Sequence, residues 1–145
     1  MRKTIIIAVT AAAVAGTAWA HNGVSDPTVK ARMELMMTIK KATAVIGGMA
    51  KGKIEFDAQK ATEAKAVLAR AAARIDSAFE QPATDPLSEA RPDIWQDRDG
   101  FAAKTDEFEA AATALDVTSL ENLRAGLGDI GKSCGGCHKA YRVNK

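Results

Sequence analysis

The only two cysteines of the chain stand with a histidine in the run Cys134-Gly135-Gly136-Cys137-His138, close to the C-terminus. C-x-x-C-H is the attachment signature of a c-type haem. The spacing has a geometric reason, because residues three and four apart on a helix share a face. Cys134 and Cys137 can then each add a thiol to one vinyl group of the same macrocycle, and His138 can aim its imidazole at the iron from that side. Three other readings fit less well. A thioredoxin-like C-x-x-C belongs in a βαβ context, whereas this one lies in a helical C-terminus. A Cys₂His zinc site needs a fourth ligand, and the only other histidine is His21. A structural disulfide leaves His138 unexplained.

The opposite end of the chain agrees with haem attachment. Arg2 and Lys3, an apolar run from Thr4 through Gly16, and then Ala18-Trp19-Ala20 have the charged, apolar and small-residue parts of a secretory leader. Residues 1–20 are expected to be removed, leaving 21–145 as one domain of single-core length. Export suits the pentapeptide, since haem is joined to cysteines on the far side of the cytoplasmic membrane. A membrane anchor needs about 20 apolar residues, and no later run is long enough. A soluble, periplasmic protein with no membrane span after leader removal is therefore expected.

Composition narrows the partners. The chain has 20 basic and 18 acidic residues, and loss of Arg2 and Lys3 with the leader brings the two into balance. Two haem propionates would tip the protein slightly acidic, which argues against nucleic acid as a partner. Aromatic residues are only 5% of the chain, so a core of alanines and aliphatics would be modest. A buried haem would fill the space such a core leaves.

Four helical segments must position these groups. Asp26-Pro27 supplies a capping carboxylate followed by proline at the first helical position, and a helix can run from there to about Lys51. Leu35, Ile39, Ala42, Ile46 and Met49 recur along it at bundle-type spacing. Gly47-Gly48 costs helix propensity and leaves room for a close approach by another backbone or by the haem. Asp57 caps a second helix that reads through Ala78. Glu80 to Arg91, with Pro82 and Pro86, reads as a crossing loop. Pro92 opens a third helix to about Leu115, carrying Ile94, Trp95, Phe101 and Phe108, with Gly100 as its weak point. Thr118-Ser119-Leu120-Glu121 reads as a capping box for a fourth, which holds Leu120, Leu123, Leu127, Ile130 and then the pentapeptide. No segment alternates like a strand. The expected fold is all-α, an antiparallel up-down-up-down four-helix bundle enclosing one covalent haem c.

Lys51-Gly52-Lys53 with Phe56-Asp57, Arg91-Pro92-Asp93-Ile94-Trp95, and the run from Gly131 through Arg142 together resemble the class II c-type cytochromes, the cytochrome c prime family, over essentially the whole exported segment. The resemblance implies His138 as proximal ligand, with the first helix on the other side of the iron. It also implies an arginine beside the haem propionates and a distal residue one turn later, positions that match Arg32 and Met36. Spacing agrees, since these two are i and i+4. Glu89 aligns with a loop residue near the haem edge in that family; a surface carboxylate is its plainer reading. Arg142 either favours a more anionic imidazole on His138 or is simply a cation at a helix C-terminus.

What the iron does then turns on Met36. A thioether opposite histidine makes a six-coordinate electron carrier, the leading expectation, serving periplasmic redox partner proteins. An unbound Met36 leaves a five-coordinate iron that admits a diatomic gas such as nitric oxide or carbon monoxide. Met33 and Met37 lie on the same helix, and a methionine cluster that fills core gaps is the plain alternative. No acid and base pair or nucleophile arrangement accompanies the distal side, so an enzyme is not expected. Lysines near the haem end suit weak redox docking or a solvated face. The first helix commonly mediates dimerisation in the family, so a homodimer is a further expectation.

Overall fold

Asp26 starts the first helix as its sequence demands: one carboxylate oxygen accepts from the backbone N–H groups of Thr28 at 2.8 Å and Val29 at 2.9 Å, with Pro27 at the first turn. The computed structural model describes residues 23–143, so the leader and His21 lie outside it. Helix α1 spans Pro27–Ala50 and buries Leu35, Ile39, Ala42, Ile46 and Met49, the expected stripe, extended toward its start by Val29 and the charged Arg32. Past its end Gly52 takes φ +70°, a region that favours glycine. The chain folds back so that Lys53 and Ile54 donate to the Gly48 carbonyl. A Cβ on Gly48 would sit 2.6 Å from the Ile54 side chain. The close approach at Gly47-Gly48 is thus made by Ile54 on the second glycine, while Gly47 faces open space.

Helix α2 spans Ala58–Ala72 under the Asp57 cap, and it stops short of the expected Ala78. The chain breaks at Ala73-Arg74 and resumes as a single turn, α3, Ile75–Ala78. The break has a physical use, because it turns the carbonyls of Ala78 and Gln81 toward the buried Arg32. The third expected helix is also divided, into a turn α4, Asp93–Gln96, and the long α5, Arg98–Ala114. Asp97 caps α5 by accepting from the Gly100 N–H at 3.1 Å. A Cβ on Gly100 would lie 2.2 Å from that carboxylate, so the glycine that looked like a flaw is the place where the cap folds over.

Helix α6 spans Leu120–Tyr141 and carries the whole pentapeptide. Its cap is Ser119, one residue later than the capping box suggested, accepting from the Asn122 N–H at 3.1 Å. Thr118 is engaged elsewhere, donating its N–H and hydroxyl to Asp116. Helix α1 packs on α2 and α6, α2 on α5, and α5 on α6, closing a ring of four long helices. Arg124 near the start of α6 donates to the Ala50 carbonyl at the end of α1 at 2.8 Å, as antiparallel neighbours require. The all-α four-helix bundle is therefore the observed fold. Ile46, Met49, Leu68, Ile94, Leu115, Leu123 and Ile130 are fully buried along its axis. Phe79, Phe101 and Tyr141 close one end, with centroids 5.5 and 5.2 Å apart. Among the described residues no helix is long and apolar enough to cross a membrane.

Asp85 ties the lead-in of α1 to the long loop. One oxygen accepts from the Ser25 N–H at 2.8 Å, its hydroxyl at 3.0 Å and the Asp26 N–H at 3.2 Å, and the other accepts from the Leu87 N–H at 2.9 Å. These bonds, the one from Leu87 foremost and those from Ser25 next, hold its pKa down to about 2 from the ordinary 3.8. A lowered folded-state value stabilises the fold above pH 3.8 and loses that contribution as pH falls toward 2. Thermal unfolding followed by circular dichroism across that window should show a steeper loss for the wild type than for Asp85→Asn, which starts less stable at neutral pH. Parallel curves would remove Asp85 as the acid-sensitive tie.

Candidate haem-binding site

On α6 the residues Leu123, Leu127, Ile130, Cys134, Cys137 and Tyr141 recur at alternating spacings of four and three, and all face or border the core. The two thiols therefore occupy positions that ordinary bundles give to aliphatic side chains. Both are partly buried free cysteines. Burial pushes both thiols up, and for Cys137 the neighbouring Cys134 adds to the rise. They stay protonated at neutral pH, unlike the lowered thiolates of redox C-x-x-C sites. Among the described residues no cluster of three His, Cys, Asp or Glu could hold a metal ion.

His138 sits at the rim of this stripe, exposed rather than core-facing. Partial desolvation, then Arg142, lower its pKa, with Glu89 opposing. The imidazole is therefore neutral at pH 7, the form that binds metals. Arg142, one turn further, donates from Nε to Glu89 at 2.7 Å and also through Nη2 to the same carboxylate. Glu89 is thus a partly exposed surface carboxylate held in an ion pair beside the pentapeptide's helix.

Across the bundle, Arg32 is 4% exposed, which excludes an ordinary solvated helix residue. Its Nε donates to the Ala78 carbonyl at 2.8 Å and its Nη2 to that of Gln81. The guanidinium lies 4.8 Å from the Phe79 ring centroid and 5.3 Å from that of Trp95, a cation–π arrangement. Trp95 in turn donates its Nε1–H to the Phe79 carbonyl at 2.9 Å. Burial lowers the Arg32 pKa, with Asp26 opposing. Its Nη1 is buried with no hydrogen-bond partner among the described residues. A buried charge is costly while its donors are unsatisfied, and a carboxylate oxygen is an acceptor that would suit this one.

Met36 lies one turn past Arg32, half-buried against the same core that Cys134 and Cys137 touch. Met33 is half-buried as well, while Met37 is 40% exposed and points away. The structure thus brings Met36 and the two cysteines onto one core, sets Arg32 at the α3–α4 end, and leaves His138 and Glu89 at the rim. Sequence reasoning missed Phe79, Ala78 and Gln81, which surround Arg32. Their only signal was an arginine on the buried stripe, which demands acceptors without naming them. The residues present fit a haem: two core-facing thiols at three-residue spacing, a neutral histidine beside them, and a buried guanidinium whose unpartnered Nη1 could receive a propionate.

The sequence profile of the family described as Cytochrome C′ matches residues 27–142. Cytochrome c-556 of Agrobacterium tumefaciens (strain apple 185) is 35% identical over 123 residues, covering 81% of this chain and 96% of the relative. The structure of cytochrome c′ from Rhodobacter Spheriodes superposes with a TM-score of 0.76 at 30% identity, over 81% of this chain and 96% of that one. A ferrous variant of cytochrome c prime from Alcaligenes xylosoxidans with bound NO gives a TM-score of 0.73 at 32% identity, over 81% and 94% of the two chains.

Arg32 carries the sharpest consequence of this geometry. In the haem-loaded protein, Arg32→Leu should cost about 3 kcal/mol in urea unfolding, the order found when one partner of a buried charge pair is removed. Arg32→Lys should recover only part, because an ammonium lacks the fork that reaches two carbonyls and a third acceptor. A loss within about 0.5 kcal/mol, as at an unremarkable surface site, would mean the guanidinium is solvated.

Proposed function

This chain belongs to the cytochrome c′ family and is a monohaem c-type cytochrome, and from that premise we propose that it is a periplasmic haem protein that binds a diatomic gas at its iron. Residues 1–20 are its export leader and 21–145 its haem domain. The observation that supports the gas reading best is the relative from Alcaligenes xylosoxidans, of the same fold and 32% identical, whose structure holds NO.

Haem c supplies an iron whose sixth position can be open or exchangeable. The residues divide the remaining work. Cys134 and Cys137 would hold the group through two thioether links, and the neutral imidazole of His138 would supply a nitrogen to its iron. Arg32 would bind a propionate through Nη1, which has no partner among the described residues. Met36 lines the distal side from α1, where its half-buried, flexible thioether keeps water out and yields to a small ligand.

A second reading rests on the chemistry of Met36 itself. A thioether on the core-facing side of α1, one turn from Arg32, is a competent sixth ligand, and ligation would make the protein a one-electron carrier for exported redox partners. The two readings separate in one set of spectra. Gas binding predicts a high-spin wild type whose ferrous form takes up carbon monoxide rapidly, with Met36→Ala little different. A low-spin wild type that refuses the gas, and turns high-spin in Met36→Ala, would overturn it in favour of electron transfer.

A further inference from the structure

The α3–α4 loop and the tail after the pentapeptide are joined at the backbone. The Arg91 N–H donates to the Tyr141 carbonyl at 2.9 Å and the Val143 N–H to that of Glu89 at 2.8 Å, with Ala90 and Arg142 paired as an antiparallel bridge between them. This is the only β-type pairing among the described residues. It fixes where the Glu89 and Arg142 side chains meet. Their ion pair is made through both Nε and Nη2 of the guanidinium. Arg142 stands at the C-cap of α6, where its backbone N–H donates to the His138 carbonyl at 3.0 Å, and its charge is felt by the His138 imidazole.

An ion pair with one partner 51% and the other 28% exposed adds little to stability. Its location gives it another use. A cation one turn from the proximal ligand favours the ferrous over the ferric iron, and an anion locked onto that cation cancels most of the effect. We propose that Glu89 is a positioning residue for the redox equilibrium of the iron: it pins and neutralises Arg142 beside His138, and so holds the midpoint potential below what a free cation there would give. This rests on the haem assignment with His138 as ligand and holds for gas binding and electron transfer alike. The backbone clamp matters because it removes the freedom of two long side chains to drift apart. Without it, an exposed pair would be averaged away by solvent.

Redox titration of the haem-loaded protein tests this. One unit charge a helical turn away, screened by water, changes the ferric-to-ferrous ratio by about threefold, or about 30 mV at 59 mV per tenfold for one electron. Glu89→Gln should raise the potential by that amount, Arg142→Gln should lower it by a similar amount, and the double variant should return near the wild type. Both shifts should shrink at high ionic strength. Covalent haem content and thermal midpoint are measured alongside. If the variants stay fully loaded and neither single change moves the potential, or if only the thermal midpoint moves, the pair is a structural tie and the proposal falls while the haem assignment stands. A wild type without covalent haem would defeat the haem assignment itself.

Discussion

A guanidinium buried inside an aliphatic bundle is the constraint that shapes one whole end of this protein. Arg32 occupies the core stripe of α1 at 4% exposure, where an unsatisfied charge is costly. The chain answers by ending α2 at Ala72, making one further turn, and presenting the carbonyls of Ala78 and Gln81 to two of its nitrogens. Phe79 and Trp95 cover its faces, and Trp95 is held in turn by the Phe79 carbonyl. Arg98 reaches that same carbonyl and the Asp76 carboxylate. So much structure around one side chain still leaves Nη1 without a partner among the described residues. An anion would complete the arrangement, and on the proposed reading a haem propionate is that anion.

The second organising fact is the replacement of core residues by thiols on α6. Cys134 and Cys137 continue a stripe of leucine and isoleucine toward Tyr141, so the helix that builds the bundle also delivers the cofactor into it. Tyr141 closes that stripe by donating to Asp97 at 2.7 Å, the residue that caps α5. The burial that raises both thiol pKa values and the partial burial that lowers that of His138 leave neutral groups at the attachment site. Scaffold and site are thus one set of packing decisions. Helices α1 and α6 would contribute opposite sides of the pocket, and the clamp at residues 89–91 and 141–143 fixes the end where the histidine lies.

Much of this was legible in the residues because local signals dominated. Asp26-Pro27, Asp57 and the stripe from Leu35 to Met49 state their helices through capping chemistry and period alone, and C-x-x-C-H states its cofactor through spacing. The failures lie where a tertiary demand overrode propensity. Ala72 to Ala78 is rich in helix formers, yet the helix stops because Arg32 needs its carbonyls. Gly100 looked like a weak point within a helix, whereas Asp97 starts a new one there and uses the missing Cβ. The cap of α6 moved from Thr118 to Ser119 because Asp116 had already claimed the threonine. Glu89 lies partly exposed at the surface, but its pairing with Arg142 was not legible, since the two are more than fifty positions apart and no sequence period links them. The distal ligand was left open for a different reason: Met36 packs on the core whether or not it binds the iron, and no spacing motif ties it to the metal as C-x-x-C-H ties His138.

On the proposed reading the fold around Arg32 and the stripe on α6 are two halves of one haem cradle. A crystal structure of the haem-loaded protein should show thioether bonds from Cys134 and Cys137, the His138 imidazole on the iron, and a propionate oxygen within hydrogen-bonding distance of Arg32 Nη1. Arg32 turned out to solvent, or propionates held elsewhere with Nη1 still unpartnered, would contradict it.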